Sequence, residues 1–195
     1  MNNAATLGID LNSRDNEYGQ TAFSLACSEG HADVVKLLME NATTMSIDLN
    51  AKSNYGSTGF HWACYFGQTS TVELLLNNAD ALNLDLNSKN SVGNTGFHYA
   101  CSNGQTSTVE LLLNNADALH LDLNSKNNIG NTGFHWACYF GYTSIVELLL
   151  NNADALHLDL TSKNNKGYTG FQTANHVDET AVVELIKAKR PSIAV

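Results

Sequence analysis

Proline is nearly absent, with Pro191 the only one in 195 residues. Long apolar runs are missing too. Nothing approaches the ~18 apolar residues that a membrane span needs. Met1-Asn2-Asn3-Ala4 has neither the basic flank nor the apolar core of a secretory leader. Secretion is therefore not expected, the sequon Asn41-Ala42-Thr43 should stay unmodified, and a cytoplasmic or nuclear location with reduced thiols follows. Positive charge is scarce, with ten Lys and Arg against nineteen Asp and Glu, a net charge of -9 and a pI near 5.0. A phosphate backbone would be repelled by such a chain, so no nucleic acid is expected as partner. The one basic cluster, Lys187, Lys189 and Arg190, reads as a solvated tail. Motifs that carry chemistry are missing as well: no phosphate-cradling glycine loop, no nucleophile elbow, no paired catalytic carboxylates and no dense oxygen loop for calcium. What is present suits a folded chain, since 43% of residues are hydrophobic and only 15% charged.

A strict period dominates what remains. Phe23, Phe60, Phe97, Phe134 and Phe171 follow one another at intervals of 37 residues. Thr58-Gly59-Phe60-His61-Trp62-Ala63-Cys64 returns as Thr95-Gly96-Phe97-His98-Tyr99-Ala100-Cys101 and as Thr132-Gly133-Phe134-His135-Trp136-Ala137-Cys138. Val-Glu-Leu-Leu-Leu follows each copy, from Val72, Val109 and Val146. Five units result, approximately 13–50, 51–87, 88–124, 125–161 and 162–195, in one domain with the outer two as caps.

Each unit reads as helix, turn, helix, extended loop. In the second, Gly56 ends a tight turn and Thr58 caps a short first helix. Phe60, Ala63 and Cys64 share one face of that helix, and Gly67 stops it in a left-handed conformation. The second helix starts near Thr69 or Ser70 and buries Val72, Leu75, Leu76 and Ala79. One such unit cannot cover both apolar stripes, so neighbours must stack. Ile9-Asp10-Leu11-Asn12 resembles the tail of an earlier unit.

The pattern Gly-x-Thr-Gly-Phe-His-x-Ala-Cys-x-x-Gly, followed by Val-Glu-Leu-Leu-Leu, resembles the ankyrin repeat. That family usually reads Gly-x-Thr-Pro-Leu-His-x-Ala-Ala-x-x-Gly in units of about 33 residues. The resemblance implies an all-α solenoid of stacked helix-turn-helix units joined by extended hairpin-like loops. It also implies a binding module for a protein or peptide, with no cofactor. Two departures stand out. Gly59, Gly96, Gly133 and Gly170 replace the usual proline, at a conformational cost of about 1 kcal/mol each. Four surplus residues fall near Ala81-Leu82-Asn83-Leu84 and its copies. They lengthen the second helix by a turn or, alternatively, enlarge the loop.

Cys27, Cys64, Cys101 and Cys138 occupy one position in successive units. Units stacked ~10 Å apart hold these thiols too far apart for a disulfide. His61, His98 and His135 form His-x-x-Cys pairs with them, but one His and one Cys per unit supply only two metal ligands, so no metal is expected. The resemblance implies that these histidines bond to the turn and the capping threonine. Variable positions are free for recognition, and by the same resemblance they line the concave face. They are Asn54, Tyr55, Ser57, Trp62, Tyr65 and Phe66 in unit two, and Val92, Asn94, Tyr99, Ser102 and Asn103 in unit three. Unit four adds Ile129, Asn131, Trp136, Tyr139, Phe140 and Tyr142, and unit five Lys166, Tyr168 and His176. Two Tyr-Phe pairs, Tyr65-Phe66 and Tyr139-Phe140, flank a polar Ser102-Asn103 saddle, and aromatics are enriched in hot spots. Three readings compete: a monomeric binding module, a structural or engineered array without a dedicated ligand, and an enzyme with Cys64 as nucleophile beside His61.

Overall fold

In the computed structural model, which describes residues 9–195, a threonine opens every helix pair. Thr21, Thr58, Thr95, Thr132 and Thr169 sit in extended backbone and complete capping boxes with Ser24, His61, His98, His135 and Gln172 three residues on. Each box satisfies two amides that the helix start leaves unpaired. The first helices are α1 (Ala22–Glu29), α3 (Gly59–Tyr65), α6 (Gly96–Ser102), α8 (Gly133–Tyr139) and α10 (Gly170–His176). Glycine or Asp178 in the left-handed region then reverses the chain, as at Gly67 with φ 67°. The second helices follow: α2 (Ala32–Glu40), α4 (Thr69–Asn77), α7 (Thr106–Asn115), α9 (Thr143–Asn152) and α11 (Thr180–Lys189). No strand forms among the described residues; the loops hold only turns and one isolated bridge, Arg14 to Thr21.

First helices stack on first helices and second on second, and the first row is packed more densely. Val72, Leu75, Leu76 and Ala79 are buried together with Phe60, Ala63 and Cys64, and the same positions are buried in unit three and, apart from the half-buried Leu38, in unit one. Each large side chain so buried contributes about 1.5–3 kcal/mol. The core runs through the stack as one ribbon, because every unit lends a wall to the next.

The surplus residues form a helical turn set off from the second helix by a kink. Asn78 causes it: its side-chain amide donates to the Leu74 carbonyl, while its backbone N–H bonds to Leu75 instead. Asn115 and Asn152 make the same side-chain bond, to Leu111 and Leu148. One more turn follows, named α5 (Ala79–Leu82) in the second unit, and a left-handed residue ends it: Asn83, His120 or His157. The expected lengthening therefore occurs, but as a broken helix rather than a continuous one.

The glycines in place of proline have a steric cause. A Cβ on Gly96 would come within 2.7 Å of the Phe60 ring and 3.0 Å of the Cys64 sulfur of the preceding unit, and one on Gly133 within 2.6 Å of Phe97. Phenylalanine and cysteine fill the space a proline would need. Glycine, phenylalanine and cysteine, each unlike the usual repeat, therefore form one packing solution.

Polar ladders join the units. His61 Nδ1 accepts from the Thr58 backbone N–H, so its Nε2 carries the proton donated to the Asn94 carbonyl of the next unit. His98 and His135 repeat this with the carbonyls of Asn131 and Tyr168. The histidines are thus inter-unit ties as well as local caps. Lys52, Lys89 and Lys126 each donate to the carbonyl of the lysine one unit on. Lys189 and Arg190, expected in a solvated tail, instead pair with Glu147 at 2.9 Å and Asp154 at 2.8 Å and fasten the last helix to unit four.

Candidate functional site

The first helices are short, so their C-terminal ends and the loop tips beside them form one continuous face. Two columns line it. The tips bring up Tyr18, Tyr55, Val92, Ile129 and Lys166, all exposed. The helix ends bring up Ser28-Glu29, Tyr65-Phe66, Ser102-Asn103, Tyr139-Phe140 and His176-Val177. Tip geometry is set by an Asx-type turn: Asn127 Oδ1 accepts from the N–H groups of Ile129 and Asn131, and Asn90 and Asn164 act alike. Backbone bonds such as Ser91 N–H to Tyr55 O then hold each tip against the next.

Aromatic rings gather at both ends of this face. In unit two, Trp62 lies against Phe66 in a stacked arrangement at 6.3 Å, and Tyr65 meets Tyr99 of the next unit edge-on at 5.3 Å. In unit four, Trp136 stacks on Phe140 at 5.8 Å, and Tyr139 meets Phe140 edge-on at 5.0 Å. Tyr142 tilts against Phe140 at 6.0 Å. The indole N–H groups of Trp62 and Trp136 are buried without an acceptor among the described residues. A buried donor left unpaired costs about 1–3 kcal/mol.

Each aromatic cluster borders a cleft. The first, of about 730 Å³, is walled by Trp62, Tyr65, Phe66, Tyr18 and Leu25 and edged by Asp15, Glu17 and Glu29. The second, of about 720 Å³, is walled by Trp136, Tyr139, Phe140, Tyr168, Ile129 and Val177, with Lys166 and His176 at its edge. Clefts of this size take one or two side chains of a partner.

Most of the residues expected on this face reach it. Asn54, Tyr55, Phe66, Val92, Ile129, Tyr139 and Phe140 are exposed, while Trp62, Tyr65, Tyr99, Ser102, Asn103, Trp136, Tyr142 and Tyr168 are half-buried. Three are not free for recognition. Ser57 is 0% exposed, Asn94 9% and Asn131 5%. Their side chains accept from Asn90, Asn127 and Asn164 of the next unit, so they belong to an inter-unit amide ladder. Asn131 reaches the floor of the second cleft only as part of that ladder. Tyr99 is also partly structural, its hydroxyl accepting from Asn90 at 2.7 Å. Sequence reasoning missed Asp15, Glu17, Tyr18, Leu25 and Glu29 of unit one, and Asn164, Asn165, Thr173 and Val177 of unit five. Their signal was register alone: Leu25 and Thr173 stand where Trp62 and Trp136 stand.

The residues that could have carried chemistry are sealed in. All four cysteines are free and buried, and burial pushes their thiols well above the usual range. Burial likewise pushes His61 and His98 down to about 4, against an ordinary 6.5, and lowers His135. A thiol held protonated beside a neutral imidazole that already donates to a carbonyl makes a poor nucleophile. Among the described residues no group of three His, Cys, Asp or Glu is placed to hold a metal, and no helix is long and apolar enough to cross a membrane.

No curated protein matches the chain. The family model described as ankyrin repeats in three copies matches residues 3–85 and again residues 81–164. Ankyrin repeats are generally protein–protein interaction modules and typically not enzymes. With five stacked helix pairs and a family match over most of its length, this chain belongs to the ankyrin-repeat family.

Proposed function

We propose that this protein is a non-catalytic, monomeric recognition module, one domain of five repeats that binds a protein or peptide along the face of its first helices and loop tips. The observation that carries the reading is the exposure of large apolar side chains on that face. Tyr55, Phe66, Val92, Ile129, Tyr139 and Phe140 are each 43–54% exposed; Phe66 lines the first cleft, and Ile129, Tyr139 and Phe140 line the second. Contiguous exposed apolar surface marks interaction sites, and aromatic rings supply contact area at low entropic cost. The denser packing of the first-helix row supports reading this as the concave side. Four unpaired cysteines suit a reducing compartment, the cytoplasm or nucleus. A net charge of -9 turns the face away from nucleic acid.

The test is a double replacement, Tyr139→Ala with Phe140→Ala, in an array recovered with its partner from lysate and the partner identified by mass spectrometry. Affinity for that isolated partner falls at least about tenfold, as for a hot-spot pair, while the urea midpoint stays in place. Unchanged affinity removes the aromatic face as the site. Rapid thiol labelling of the folded chain would instead revive the reading with Cys64 as nucleophile.

A further inference from the structure

The face is electrically lopsided. At its first-unit end the cleft bounded by Trp62 and Phe66 is edged by three carboxylates, Asp15, Glu17 and Glu29, and by no cation. The nearby cations are engaged elsewhere: Arg14 donates to the Lys52 carbonyl, and Lys52 to the Lys89 carbonyl at 3.1 Å. At the fifth-unit end the sign reverses. No carboxylate lines the cleft bounded by Trp136 and Phe140, although the chain as a whole carries -9. Lys166 stands there at the loop tip, in the column that reads Tyr18, Tyr55, Val92 and Ile129 in the units before it. Its ammonium group makes no ion pair or hydrogen bond among the described residues, unlike Lys36, Lys187 and Lys189, which pair with Glu40, Glu184 and Glu147. The nearest acids along the chain on that side, Asp178 and Glu179, lie outside the lining: Asp178 sits in the left-handed turn after Val177, and Glu179 packs against Gly141. Between the clefts the two columns are uncharged: the helix ends bring Ser102 and Asn103, and the loop tips Tyr55 and Val92.

Resting on the recognition face proposed above, we infer that the partner is a single extended peptide segment with a charge gradient: a basic end over Glu17 and Glu29, and an acidic end over Lys166. An apolar anchor fills each cleft. The first cleft lies between units one and two and the second between units four and five, so they are three units apart, roughly 30 Å at ~10 Å per unit. An extended chain rises ~3.3 Å per residue, so about nine residues separate the anchors. Complementary charge at the two ends fixes the direction in which the segment lies and rejects the reversed sequence.

The experiment is selection of a random dodecapeptide library on the wild-type chain, followed by titration of the selected synthetic peptides through indole fluorescence. Enriched peptides carry Lys or Arg at one end and Asp or Glu at the other, with apolar residues about nine apart. Lys166→Glu weakens them at least about fivefold, as does Glu17→Lys combined with Glu29→Lys, with circular dichroism and urea midpoint unchanged. Peptides with their charges exchanged end for end regain affinity on the chain carrying all three reversals. Enriched peptides without a charge gradient, or with affinity indifferent to Lys166→Glu, overturn the inference. If those same peptides still lose binding in the Tyr139→Ala, Phe140→Ala chain, the recognition face survives and only the gradient fails. No enrichment on the wild-type chain overturns both.

Discussion

Units two and four contain the same eight residues, Gly-Phe-His-Trp-Ala-Cys-Tyr-Phe, at 59–66 and 133–140, yet present them differently. In unit two the Tyr65 ring is covered by Tyr99 of the next unit and is half-buried. In unit four the residue at the corresponding place is Thr173, too short to reach, and Tyr139 is left 43% exposed beside a cleft. Identical local sequence therefore yields a structural ring in one place and a candidate contact in the other. In a solenoid the identity of a residue one period away decides what a side chain does.

The largest expected effect breaks the comparison at its glycines. A Cβ on Gly133 would lie 2.6 Å from Phe97, whereas one on Gly59 would lie no closer than 3.0 Å to Cys27. Gly133→Ala should cost about 3 kcal/mol and Gly59→Ala about 1 kcal/mol in urea unfolding, overpacking costs being typically 1–3 kcal/mol. Adding Phe97→Leu should recover part of the first loss. Equal costs would show that the Phe97 ring moves aside freely.

Acid sharpens the comparison next. His61 and His98 are neutral in the fold with values near 4, against 6.5 ordinarily. The unfolded chain binds the proton more readily, so their contribution is complete above pH 6.5 and is lost as pH falls toward 4. Each should remove about 2–3 kcal/mol by pH 4, because every tenfold loss of proton affinity on folding is worth about 1.4 kcal/mol before relaxation. Glutamine already fills this role at Gln172, where it completes the capping box. His61→Gln should therefore flatten the pH profile of stability with little loss at pH 7. His135→Gln, at the less covered end of the ladder, should flatten it less.

The rings themselves come third. Tyr65→Ala should destabilise the array by about 1–2 kcal/mol, since it removes a buried ring contact. Tyr139→Ala should cost under about 0.5 kcal/mol, in the range of surface substitutions, yet weaken partner binding more than Tyr65→Ala does. The reverse order would mean that unit two holds the contact. The smallest effect is a gain. Thr173→Tyr rebuilds over Tyr139 the cover that Tyr99 gives Tyr65, and should add up to about 1 kcal/mol of stability while closing the second cleft to a partner. Unaltered binding would show that this cleft is not used.

Much of the fold was legible along the chain, for a local reason. Thr58, Gly59, Phe60 and Gly67 lie within one turn of their effects, since capping, helix start and chain reversal act over three or four residues. The apolar stripe Val72, Leu75, Leu76 and Ala79 was readable from its period alone. The kink at Asn78 was less so, because it depends on a side-chain amide reaching a carbonyl that a backbone N–H usually takes. The face was legible only in outline. Variability along the sequence marks both candidate contact residues and inter-unit ties, and Ser57, Asn94 and Asn131 are ties.

By itself the sequence determined the number of units, the helices in each and the side chains that face inward, since these follow from propensity and period within one unit. Only the stacked structure decided why glycine replaces proline, which copy of a repeated ring is covered, and where charge of each sign collects. Those outcomes depend on a neighbour about 37 residues away whose distance, in ångströms, is fixed by packing.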